Sequence, residues 1–153
     1  MTIAYANGAA VYGSTALDAL ASSASLVAGN QSPVVTNTGD NHLLSVRYKA
    51  NASAPTVGKI EVWVIPVWDV AGTDTYPDVF DATGGAKTVT YRNVLDQSGE
   101  CVQTFETTTD ANRVYEKSGI DLESVFGTCP EKYVVFTVHN MVTALNATAS
   151  AGG

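Results

Sequence analysis

Three stretches of this chain alternate large apolar and other side chains with a period of two. That period fits a strand and defeats a helix, whose faces repeat every 3.6 residues. Leu44, Val46 and Tyr48 alternate with Ser45, Arg47 and Lys49, the pattern of a strand with one buried face. From Lys132 to His139, Val134, Phe136 and Val138 face one way and Tyr133, Val135 and Thr137 the other. The third stretch, Lys59 to Trp68, puts Ile60, Val62 and Val64 on one face and Glu61, Trp63 and Ile65 on the opposite one. Apolar groups on both faces require cover on both faces. For Trp63 and Ile65 the cover is expected either from the N-terminal segment or from a neighbouring subunit.

Weaker strand signals fill the rest. Pro33 to Asn37 reads as an edge strand, because proline cannot donate to a central ladder. Lys87 to Val94 and Cys101 to Thr107 read as two strands joined by a turn, Asp96-Gln97-Ser98-Gly99, in which the glycine supplies a positive φ. Asp121 to Phe126 suits one helical turn, and Asn140 to Val142 a tight turn into a last strand, Thr143 to Ala147. Between Asp69 and Gly85 lies a long loop of turn formers, pinned by Val79 and Phe80. Ala16 to Ala21 suits a turn of helix capped by Ser14 or Thr15, but the small uncharged residues before Ser25 read better as an extended arm into a strand near Ser25 to Ala28. Roughly seven to nine short strands make an all-β chain, a single-domain β-sandwich or jelly roll. The expected layout is an N-terminal arm over residues 1–24, the sandwich over 25–149 and a flexible tail over 150–153.

Length and charge bound the partners. A chain of 153 residues suits one domain. Charged residues are only 15% of it, which leaves a weakly polar surface suited to being covered in an assembly. The net charge is −7 with eight scattered Lys and Arg, so neither nucleic acid nor an anionic membrane is an expected partner. No apolar run approaches the length of about 18 residues that spans a bilayer. Residues 1–30 show no basic, then leucine-rich, leader. Cys101 and Cys129 lack metal-site spacing and are expected either as two buried thiols or as a single bridge.

No motif for chemistry stands out, so no catalytic residue, no metal ligand and no cofactor is expected. His42 and His139 sit at strand ends beside hydrogen-bonding residues and read as structural. Asp69, Asp74, Asp78 and Asp81 crowd the long loop but match no calcium-loop spacing and read as solvated acids. No GxSxG elbow and no glycine-rich phosphate cradle is present. Three Asn-X-Ser/Thr matches, at Asn30, Asn51 and Asn146, are what a chain rich in these residues produces by chance. Trp68, Tyr76 and Tyr91 lie on or near loops, where such side chains act as core lids, interface anchors or sugar platforms.

Five segments bear a resemblance. They are Ala16 to Ala21, Ile60 to Val64, Tyr76 to Asp81, Tyr133 to Asn140 and Ala144 to Ala149, which in this order span nearly the whole chain. In them the chain resembles a family of small virion structural proteins of tailed bacteriophages. That resemblance implies no enzymatic activity. It implies a component of the particle, made in the bacterial host cytoplasm and placed on the capsid surface as a decoration or cement protein. Its partners would be the major capsid protein and copies of itself, as a dimer or trimer. The residues expected at the contacts are Leu17, Leu20, Trp63, Ile65, Trp68 and Tyr76. A host-adsorption or carbohydrate-binding module is the competing expectation.

Overall fold

A computed structural model of the chain describes residue 17 and residues 19–39, 41–53 and 55–146. The expectations for the rest of the arm and for the tail fall outside these residues. The elements in chain order are β1 (Ala28–Gln31), β2 (Val35–Thr36), β3 (Leu43–Lys49), β4 (Lys59–Pro66), β5 (Trp68–Val70), β6 (Thr73–Thr75), β7 (Gly85–Thr88), α1 (Arg92–Ser98), β8 (Glu100–Glu106), β9 (Val114–Asp121), α2 (Leu122–Phe126) and β10 (Lys132–His139).

The three alternating runs became β3, β4 and β10, and they organise everything else. β10 and β4 pair antiparallel, with Ile65 opposite Val134, Val64 opposite Val135 and Trp63 opposite Phe136. Successive pairs point to opposite faces, so each face receives a continuous apolar strip. Pairing outward from these two gives a sheet in the order β7-β1-β10-β4-β8, with β2 added to β10. A second sheet, β3 with β9, lies against one face. Between the sheets Leu44, Val46 and Tyr48 meet Ile60, Val62, Val64 and Val135, and Tyr115 and Ile120 close the side. The fold is therefore an all-β sandwich of unequal sheets. The Tyr48 and Thr137 hydroxyls bond at 2.9 Å in this core, and burial holds the Tyr48 phenol well above its ordinary pKa.

The other face of the large sheet carries a second core. Trp63, Ile65, Val134, Phe136 and Val138 pack there beneath Phe80, Val89 and Leu95. Phe80 meets Phe136 edge-on, ring centres 5.4 Å apart. The roof is thus the long segment between β6 and β8, including α1. Gln31 fixes one end of it, its side-chain amide donating to Asp81 O and its Oε1 accepting from Asp81 N–H.

Several expectations change. Among the described residues, Trp63 and Ile65 are buried under the chain's own long segment, with Leu26 and Val27 packed beside it, so both leave the set of contact residues. Leu17 and Leu20 also leave it: both are buried in the core between the sheets, and the Leu20 carbonyl accepts from Leu145 N–H at 3.0 Å. The described end of the supposed arm is therefore part of the core. Lys87 to Val94 is not one strand, because β1 offers only four residues to pair with and the ladder stops at Thr88. Beyond it the Asp78 carboxylate captures Thr90 through both its N–H and its hydroxyl, and the chain turns into α1. Asp96 to Ser98 close that helix. Gly99 follows at φ −163°, extended, with no need of a positive φ. Its lack of a side chain matters for another reason: a Cβ there would stand 2.4 Å from Val64 O. Residues 143–146 form no strand, although Leu145 is fully buried.

Candidate binding surface

Immediately after β4, at the start of the expected long loop, the chain makes a hairpin of β5 and β6. Ala71 and Gly72 take φ values of 55° and 83°, the two positive φ angles of a two-residue type I′ turn. Asp69 Oδ1 accepts the Gly72 N–H at 2.6 Å and stiffens that turn. Cross-strand pairs are Trp68 with Thr75, Asp69 with Asp74, and Val70 with Thr73. Period two then sorts the hairpin into two faces: Trp68, Val70, Thr73 and Thr75 on one, the two aspartates on the other. Lys132 of β10 reaches Asp74 at 2.6 Å and ties the aspartate face to the large sheet. That leaves Trp68 67% and Val70 60% exposed on the free face.

Of the six expected contact residues, only Trp68 stands open. Tyr76 follows the hairpin but lies half-buried against the second core, with its hydroxyl buried and unpartnered. Burial, then the Asp74 charge, raise its pKa. Tyr91, at the N-terminal boundary of α1, is 69% exposed.

The other candidate residues each have a local task. Glu61, on the second-core face of β4, accepts Trp63 Nε1–H at 3.0 Å and the Arg92 guanidinium at 2.7 Å. That guanidinium lies 4.7 Å over the Trp63 ring, so the buried Glu61 carboxylate is answered by an indole N–H and a cation, while Arg92 Nη1 is buried without a hydrogen-bond partner. This triad makes β4 tolerate a charge inside, a feature that strand alternation alone does not reveal. His42 Nδ1 bonds the Tyr133 hydroxyl at 2.9 Å. His139 is fully buried, with Nε2 2.8 Å from Leu20 O. Desolvation holds its pKa below the ordinary value, partly offset by that carbonyl.

The loop acids do not converge. Asp69 serves the turn, Asp74 binds Lys132, Asp78 holds Thr90, and Asp81 pairs with Lys87 and Thr83. The Lys87 ammonium and the Thr83 donors hold the Asp81 carboxyl well below the usual carboxylate range. Among the described residues no group of three or more His, Cys, Asp or Glu is placed to hold a metal ion. Both cysteines are free: Cys129 is buried, whereas Cys101 on β8 is exposed and so departs from the expectation of two buried thiols. Among the described residues, no helix is long and apolar enough to cross a membrane.

Comparison with known proteins adds no further constraint: no family model, no curated protein and no solved structure matches the chain.

Proposed function

We propose that this chain is a non-enzymatic structural protein of a tailed-phage particle, a capsid decoration protein that docks on the major capsid protein through the Trp68 face of its β5–β6 hairpin. The observation that carries this reading is an exposed indole and an exposed valine side by side on a hairpin held by its own turn and by Lys132. Exposed aromatics on a rigid support lose little entropy on binding and make effective anchors. The five segments that resemble phage virion proteins point the same way. So does the low charge content, since an interface core is depleted of charge.

The reading is tested by mixing purified protein with undecorated capsids and sedimenting them. Saturable co-sedimentation is expected, with binding weakened about tenfold or more by the double change Trp68→Ala and Val70→Ser. Absence of the protein from heads, with presence in tails, overturns the capsid assignment. The competing reading, a glycan-binding adsorption module, draws on the exposure of both Trp68 and Tyr91. A glycan array with a Trp68-dependent signal, alongside no capsid binding, would replace the first reading with the second.

A further inference from the structure

A strand at the margin of a sheet carries N–H and C=O groups without a neighbour, and soluble proteins guard such margins with mid-strand charges, glycine, bulges or short length. Three long or outer margins here are guarded. β7 has four residues and opens on Gly85 at φ 107°. β3 carries Arg47 near its centre, and the register shift of this pair puts an extra residue into its partner β9. β9 carries Glu116 and Lys117 at its centre and Gly119 at φ 66°.

β8 differs from them. It has seven residues, and between Glu100 and Glu106 run Cys101, Val102, Gln103, Thr104 and Phe105, with no charge, glycine or proline. Its ladder is with β4 alone, and among the described residues no backbone bond joins it to any other element. The register shift between Val62 and Trp63 puts one extra residue, Val102, into β8, so this strand has a single bulge near its start. From Gln103 to Glu106 it pairs with β4 in regular register, with no charge or glycine before Glu106 to reinforce that bend. The Gln103 side-chain amide donates to Thr104 O at 2.7 Å, a local bond that an incoming strand would displace.

We propose that β8 accepts an extended segment of another polypeptide as an added strand, one with an uncharged centre and Lys or Arg at its ends. The centre follows from the uncharged run, the ends from Glu100 and Glu106. A second copy of this chain is the poorer occupant. Antiparallel pairing of two β8 strands about Gln103 sets Glu100 against Glu106 at both ends, between chains of net charge −7. Lys59 stands 3.3 Å from Glu106 and partly neutralises it, so Glu100 weighs more in the choice. Strand addition of this kind takes its affinity from main-chain bonds and its selectivity from side chains.

The test needs no particle, so its outcome is separable from that of the capsid experiment. Amide hydrogen exchange of the full chain is followed with a seven-residue peptide of Thr/Val centre and lysine at each end. A second peptide has the same centre and glutamate ends. The lysine peptide is expected to slow β8 amides about tenfold and to bind roughly fivefold tighter than the glutamate peptide. The surface double change Glu100→Lys and Glu106→Lys is expected to reverse that preference. No slowing by either peptide overturns the proposal. Equal slowing by both overturns the assigned partner chemistry. Slowing that grows with protein concentration alone makes a second copy the occupant and overturns it as well.

Discussion

His139 places an ionisable ring where a proton is costly. Its Nε2 faces Leu20 O, which requires the hydrogen on that nitrogen, and its Nδ1 is buried without a partner. Protonating Nδ1 would put a charge and an unanswered donor into the core. The folded ring therefore titrates below its ordinary value of 6.5, and the unfolded chain takes up the proton first. Stability from this group is complete above that ordinary value and is lost as pH falls through the folded one. The urea midpoint is expected to fall between pH 7 and pH 5, and His139→Gln is expected to flatten that slope while lowering stability at pH 7. An unchanged slope would assign the acid sensitivity elsewhere. The lowered pKa values of Asp81 and Asp121 act separately, in the range below the ordinary carboxylate value of 3.8. At this scale the sequence placed His139 at a strand end with a structural task. It could not show that the partner is a carbonyl 119 positions away.

Among elements, what could be read in advance tracks how locally each is determined. β3, β4 and β10 are written in their own alternation, and α2 in the Asp121 side chain that caps it by accepting Ser124 N–H. β9 is not: only Tyr115 and Ile120 are buried along Val114–Asp121, five positions apart, and the strand exists because β3 lies beside it. The β5–β6 hairpin hid for a different reason, since Ala71-Gly72 is a weaker turn signal than Asn-Gly and both strands have three residues. The segment around Leu17 and Leu20 resembles an arm in sequence because small residues surround the two leucines that carry its packing. Leu17→Ala is expected to cost about 3 kcal/mol in denaturant unfolding, the usual penalty for a cavity left by a buried leucine. A change below about 0.5 kcal/mol, the size typical of a surface site, would restore the reading of a peripheral arm.

For the whole molecule the decisive fact is that β4 and β10 serve two cores at once. Trp63 and Phe136 belong to one and Val64 and Val135 to the other, through the same pair of backbones. Loss of either core strips one face of the strands that the other requires, so the two are expected to melt in a single transition. Hydrogen exchange should show it: amides of β4 and β10 opening only with global unfolding, and those of the outlying hairpin at least about 100-fold faster. Separate melting of the segment over Trp63, with β10 still protected, would count against this coupling.

The two ends of the described body meet at one spot, where Ala19 N–H donates to Asn146 O at 3.4 Å and Leu20 O accepts from Leu145. Such a body has a doorway through which the polypeptide both enters and leaves. A short linker across it would give a closed ring that can be reopened at the Ala71-Gly72 tip with the sheets intact. It also means that cargo fused ahead of residue 17 or behind residue 146 emerges from the same place, giving the molecule one tethering point.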